Sequence, residues 1–245
     1  MNISEWLLQA ARVSPDAPAI RCGLDLHATY GQFAARSAGM ATYLSDTLGI
    51  RKGDRVALFM QNCPEYLEIL HAVLWMGAIV VPINYKLHPR EAAWIIDDAK
   101  ACVVVTQTGT VFASGIELSD NCNELGIQNP ALTAAAQSSA AITAPVHTGK
   151  DDVAWLFYTS GTTGLPKGAL HTHNTIAWAL ITVSATADIR FRDRSSIALP
   201  MYHIGALHPV LNAVYNGATV VLLRQFDPKL MWEITAQEKI NITLA

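Results

Sequence analysis

Apolar positions along the chain change period several times, and each change marks a predicted element. After Ser4 the first twelve residues place apolar side chains at helical spacing, predicting a short amphipathic helix capped by that serine. Phe33, Ser37, Met40, Ala41, Leu44 and Leu48 lie on one helical face and stop at Gly49, a suitable left-handed end, followed by apolar Ile50. The turn Lys52-Gly53-Asp54 leads into an apolar strand at 55–60, a helix around 66–76 and a strand at 78–83. Strand, helix, strand is the crossover unit of a parallel sheet. Pro89 opens a helix to about Asp98, and 101–106 supplies another buried strand.

From 107 to 150 the texture changes to Ala, Ser, Thr and Gly, with a low-complexity stretch at 134–144. This predicts a connecting region, irregular or only partly ordered. Alternation resumes with a strand at 153–158, a Gly-rich loop, and a helix at 174–187 whose apolar face includes Ile176, Leu180, Ile181 and Val183. A strand at 195–199, a helix at 206–215 and a strand at 217–223 follow. Asp227 as cap and Pro228 at the first helical position start a helix to about Lys239. A last strand begins at 241, and the chain stops inside it, which suggests a piece of a longer protein. Three portions result: an α/β portion at 1–106, the connecting region at 107–150, and a loop-bearing, truncated α/β portion at 151–245. The fold class is α/β, a doubly wound, mostly parallel sheet with flanking helices, which binds ligands at the carboxyl ends of its strands.

A hydrophobic share of 51% with 15% charged residues predicts a packed core. The net charge of −3, without a dense Lys/Arg run, argues against nucleic acid as a partner. Cys22, Cys63, Cys102 and Cys122 show neither a CxxC pair nor metal-ligand spacing, so ordinary reduced thiols in a cytoplasmic protein are expected. The N-terminus lacks the pattern of a secretory signal. The longest apolar stretch, 69–83, is interrupted by His71 and Gly77, so no integral membrane segment is expected, although peripheral contact stays open.

Candidate chemistry concentrates after the strand at 153–158, in Tyr158-Thr159-Ser160-Gly161-Thr162-Thr163-Gly164-Leu165-Pro166-Lys167-Gly168. Gly161 and Gly164 permit positive φ, so successive N–H groups can turn inward as an anion nest, while Ser160, Thr162 and Thr163 add hydroxyls. Lys167 adds a full positive charge. The spacing is not that of a Walker A loop, because Lys167 precedes Gly168 and Ala169. Taken as a composition alone, such a cluster is also compatible with a surface turn.

The complete string resembles the signature phosphate loop of the adenylate-forming family, which includes acyl-CoA synthetases, firefly-luciferase-like enzymes and peptide-synthetase adenylation domains. Thr29-Tyr30-Gly31-Gln32-Phe33, the segment Gly77-Ala78 to Pro82-Ile83-Asn84, and Leu199-Pro200-Met201-Tyr202-His203 resemble further family segments in the same order. Tyr202 replaces the more usual phenylalanine. The resemblance implies a two-step reaction: a carboxylate attacks the α-phosphorus of ATP, releasing pyrophosphate, and a thiol, usually that of coenzyme A, then displaces AMP. It assigns Thr159, Ser160, Gly161, Thr162, Thr163, Gly164 and Lys167 to the β- and γ-phosphates, with Thr162 helping to ligate Mg²⁺. It places His203, Gly205 and Leu207 along the acyl pocket, although a histidine beside apolar residues also reads as an ordinary core residue. His171 and His173 read better as the start of the following helix than as a metal pair, and Trp155, Phe157 and Trp178 as core.

The implied partners are ATP, coenzyme A and a small carboxylic acid, closest to the fatty acids of bacterial fatty-acyl-CoA ligases, and a homo-oligomer stays open. Aryl-CoA and acyl-AMP ligases share the loop, and a short, non-catalytic nucleotide-binding or interaction protein is the competing class. The resemblance also implies an adenine-holding Thr-Glu element, a ribose-binding aspartate and a C-terminal domain with the catalytic lysine, none of which occurs up to Ala245. No catalytic set is therefore complete in this stretch, and the chain alone is expected to bind ATP weakly or not at all and to lack ligase turnover.

Overall fold

The computed structural model describes residues 1–112, 118–119, 121–138, 143–159 and 165–243. In chain order the elements are α1 (Glu5–Val13), β1 (Pro18–Cys22), β2 (Asp25–Thr29), α2 (Tyr30–Asp46), β3 (Arg55–Phe59), α3 (Pro64–Trp75) and β4 (Ile79–Pro82). Next come α4 (Pro89–Asp98), β5 (Ala101–Thr106), β6 (Asn123–Gly126), α5 (Pro130–Ala136), β7 (Val153–Thr159) and β8 (Lys167–Thr172). The remainder is α6 (His173–Thr186), β9 (Arg194–Ile197), α7 (Ile204–Asn216), β10 (Thr219–Leu222), α8 (Pro228–Gln237) and β11 (Ile242–Thr243).

Two sheets form where one doubly wound sheet was predicted. One is ordered β11-β9-β10-β1-β2 and the other β6-β5-β3-β4-β7-β8. Pairing is parallel throughout except for the edge hairpins β1/β2 and β7/β8. The connecting region is also more regular than its composition suggests, since β6 extends the second sheet and α5 buries Leu132 and Ala136 in the main core.

Side-chain alternation places the layers. Val56, Leu58, Val80, Val103, Val105, Trp155 and Phe157 on one sheet share a core with Ile20, Ile197, Val220 and Leu222 on the other. Helices α2, α3 and α7 contribute to that core, and α3 is buried from Tyr66 to Trp75, including Glu68 and His71, which find polar partners there in Arg36 and Ser4. On the far side of the second sheet, Ala57, Phe59, Val81, Ile83 and Val104 meet Ile95 and Ile96 of α4. On the far side of the first, Val221 and Leu223 meet Ile234 of α8. The order is helix, sheet, helices, sheet, helix.

Thr29 caps α2 in a capping box with Gln32. Local expectations hold at Gly49, which takes φ +71°, and at Asp227, which caps α8 through the N–H groups of Lys229 and Leu230. Others do not. Ser4 makes no cap hydrogen bond, because its hydroxyl is drawn inward to the His71 carbonyl (3.2 Å) and ring (3.3 Å). Trp178, Ile181 and Val183 are 63%, 39% and 39% exposed, so they are not core and α6 buries a narrower stripe than predicted. Among the described residues, no helix is long and apolar enough to cross a membrane.

His71 and His173 are fully buried. His173 Nδ1 accepts the Ile3 N–H at 3.3 Å, so the pair fastens the chain start to α3 and α6. Burial lowers His71 to about 3 and, with the N-terminal amine as a lesser cause, His173 to about 4. In the unfolded chain both imidazoles protonate near the ordinary histidine value, whereas the folded chain holds them neutral. Stability from this pair is therefore complete above about pH 6.5 and falls at lower pH, by about 1.4 kcal/mol per pH unit for each histidine. Urea midpoints measured from pH 7 to pH 4 should decline; a flat profile would show that these rings do not govern acid stability.

Candidate active site

The string that carries the phosphate-loop resemblance leaves the carboxyl end of β7 at Thr159 and returns as β8 at Lys167. Ser160, Gly161, Thr162, Thr163 and Gly164 lie outside the described residues. The expected strand-to-helix setting is corrected: β8 intervenes, antiparallel to β7, with Tyr158 opposite Gly168 and Thr159 opposite Lys167. Its signal was hidden because its first four residues are exposed and carry no apolar alternation. His171 consequently sits on β8, and only His173 begins α6.

A cavity of about 400 Å³ opens beside this hairpin. Its walls are Pro82 to Asn84 after β4, Phe157 to Thr159 at the end of β7, Pro166, Ala169 and His171 of the hairpin, and Tyr202 to Ile204 before and at the start of α7. It thus occupies the carboxyl ends of β4 and β7, where parallel strands present ligand sites. Lys167 is exposed and, among the described residues, forms no ion pair. An unneutralised ammonium beside a strand end suits an anionic ligand.

His203 is an exposed N-cap rather than a core residue, and its Nδ1 accepts the Gly205 N–H at 3.0 Å. That bond places the proton of the neutral ring on Nε2, leaving an N–H donor on a residue of the cavity wall. Gly205 and Leu207 do not line the cavity; Gly205 supplies the capped amide, and Leu207 is fully buried in the main core. His171 lines the cavity and stands edge-on to Phe157 at 5.8 Å. Among the described residues, no group of three or more His, Cys, Asp or Glu side chains is placed to hold a metal.

Asn62, which sequence reasoning missed, fixes the Tyr202-His203 segment from the other sheet. Its side chain donates to the carbonyls of Leu199 (2.9 Å) and Leu223 (3.3 Å) and accepts the Met201 N–H (2.8 Å). A polar residue just ahead of Cys63-Pro64 reads in sequence as a helix start, and nothing local reveals partners 137 and 161 residues away. Asn62→Ala should cost about 1–3 kcal/mol, because three backbone groups, two of them in buried hydrogen bonds, lose their partner. A denaturation midpoint unchanged from wild type would show that this splice is not a structural support.

A second cavity of about 1010 Å³ borders Asn62, Tyr85, Arg224 and Trp232. Tyr85 and Tyr202, rings 5.9 Å apart, stand between the two cavities.

The architecture and the hairpin site define an adenylate-forming type of domain, and residues 7–245 match the AMP-binding enzyme family; the chain belongs to that family. Among its relatives, long-chain-fatty-acid–CoA ligase FadD13 of Mycobacterium tuberculosis H37Rv is 36% identical over 248 residues, covering 98% of this chain and 49% of that protein. Feruloyl-CoA synthase of a Streptomyces species is 35% identical, covering 98% of this chain and 48% of that protein. The inhibitor-bound N-terminal domain of FACL13 from M. tuberculosis superimposes with a TM-score of 0.89 at 35% identity, over 100% of this chain and 62% of that one. The chain spans about half the length of the curated relatives it matches.

Proposed function

We propose that this chain forms the phosphate-binding part of an AMP-forming carboxylate–CoA ligase that activates a fatty acid. The observation that carries the reading is Lys167, without an ion pair among the described residues and opposite Thr159, on a hairpin bordering a cavity that His203 also walls. Membership of the AMP-binding enzyme family and the likeness to a long-chain fatty-acid ligase support the chemical class.

In this reading Lys167, Thr159, Ser160, Gly161, Thr162, Thr163 and Gly164 bind the β- and γ-phosphates of ATP. The difficulty is electrostatic, since a carboxylate approaches a polyanion and the departing pyrophosphate carries more charge. A fixed ammonium and aligned donors lower that barrier. Mg²⁺, with Thr162 as a ligand, would neutralise further phosphate charge. The Nε2–H of His203 orients the acyl or adenylate oxygen, while Gly205 and Leu207 support the wall behind it. The four free thiols fit a cytoplasmic enzyme, with Cys63 and Cys122 pushed up to about 12, chiefly by burial.

The second reading is an aromatic acid as substrate, favoured by the nearly equal identity to feruloyl-CoA synthase. AMP formation by the protein of the complete open reading frame, over aliphatic and aromatic acids with and without coenzyme A, separates these. Turnover confined to aliphatic acids and completed by coenzyme A supports the proposal. Preference for aromatic acids replaces the substrate, and AMP release without thioester replaces the acceptor. Residues 1–245 alone should show no ligase turnover in the same assay; robust turnover would overturn the division of labour proposed here.

A further inference from the structure

Asp98 ends α4 with a carboxylate at the negative pole of the helix, and no basic residue occupies the last turn to offset it. That placement is unfavourable. Its partner is remote in sequence: the Tyr158 phenol, 60 residues on, donates to Asp98 Oδ2. One turn earlier on the same helix, Trp94 meets the Tyr158 ring edge-on, with centroids 6.4 Å apart and planes at 87°. The strand opposite completes the enclosure. A Cβ on Gly168 would lie 2.7 Å from Leu156 Cδ1 and 3.4 Å from Tyr158 Cζ, so the bare backbone of β8 passes against this ring. The phenol is therefore held at its tip by Asp98, at its edge by Trp94 and on the strand side by Gly168.

The register gives this enclosure its consequence. Tyr158–Gly168 is the pair next to Thr159–Lys167, the last pair of the hairpin. Because strand side chains alternate, Lys167 projects to the face opposite the Tyr158 ring, and Asp98 acts on it through the backbone rather than as a counter-charge. We propose that Asp98 is a positioning residue: by fixing the Tyr158 phenol it sets where β7 and β8 part, and so where Lys167 meets the phosphates of ATP. This rests on the reading of Lys167 given above.

The test measures the affinity of the complete protein for a non-hydrolysable ATP analogue by calorimetry, without acid or coenzyme A. Asp98→Ala and Tyr158→Phe should each weaken binding about 3–10-fold, the range of one hydrogen bond, and the double variant no more than either alone. Asp98→Asn keeps an acceptor for the phenol without the charge, and should bind within about twofold of wild type. The melting temperature should stay unchanged in all of them, and the KM for the acid should stay unchanged in the Asp98 variants, since Asp98 does not line the cavity. Wild-type affinity in Asp98→Ala and Tyr158→Phe overturns the proposal, as does a loss that only tracks a falling melting temperature. Asp98→Asn as weak as Asp98→Ala also overturns it, because charge rather than position would then be the cause. Lys167→Ala separates the layers. If it loses affinity while the Asp98 and Tyr158 variants do not, the positioning role alone falls; if it binds normally, the phosphate reading falls and this proposal with it.

Discussion

Lys167→Ala in the complete protein should lower kcat/KM for adenylation about 10²–10³-fold, the range for removing one preorganised charge-stabilising donor. The ammonium is free of ion pairs among the described residues, so its charge is not spent within the protein. It begins β8 directly opposite the last residue of β7, and the strand pairing limits how far it can move. On the proposed reading its removal deletes positive charge where pyrophosphate develops negative charge, so kcat should fall together with kcat/KM. The acid should bind as before, because Lys167 is not among the cavity-lining residues. Lys167→Arg should recover part of the loss, since charge returns in a different shape. Pulse measurements of acid-dependent AMP formation decide the matter, and unchanged rates in Lys167→Ala would remove the lysine from the phosphate site.

The second large effect concerns stability. Glu68 is 3% exposed in the middle of α3, and its Oε1 accepts from Arg36 of α2 at 3.0 Å and meets His27 Nε2 of β2 at 2.8 Å. One carboxylate thus ties two helices and the edge hairpin of the first sheet. Glu68→Gln keeps the shape and removes the charge, leaving the Arg36 guanidinium without its counter-ion. Breaking a fully buried pair from one side typically costs about 3–5 kcal/mol. Here Arg36 and His27 retain 28% and 22% side-chain exposure, so water compensates in part. We expect about 2–3 kcal/mol, or a melting temperature lower by about 4–12 °C. A double-mutant cycle with Arg36→Met should show coupling of the same sign. A Glu68→Gln protein within about 0.5 kcal/mol of wild type would show that the network contributes no more than a surface pair.

Local patterns made much of this fold legible. The apolar runs that became β3, β5 and β7 stand out because strands covered on both faces need no alternation, and Pro89 and Pro228 mark helix starts by their fixed φ. The division into two sheets was not legible. It depends on β1 pairing with β10, where Ile20 lies beside Val220, and a period in sequence says nothing about a partner that distant. β2, with the burial pattern of a partly exposed edge, and β8, with Lys167 and Gly168 in place of apolar residues, give no strand signal. On α6, residues 176–183 are apolar on nearly every side, so composition could not reveal that Trp178, Ile181 and Val183 face outward.

The same division applies to the site. The loop string and the His203 element stand out through residue type, whereas the partners of Asn62 and Asp98 are contacts formed only on folding. An acidic residue at the wrong end of a helix dipole is the one sequence feature that could have drawn attention to Asp98.

The central claim is that this chain belongs to an enzyme that makes an acyl-adenylate on a phosphate-binding hairpin. Its most direct test is exchange of labelled pyrophosphate into ATP by the complete protein, with Mg²⁺ and a fatty acid present and coenzyme A absent. The account predicts exchange that requires the acid, needs no coenzyme A and is lost in Lys167→Ala. Exchange that proceeds without any acid, or a folded protein that supports none with any carboxylic acid, would contradict it.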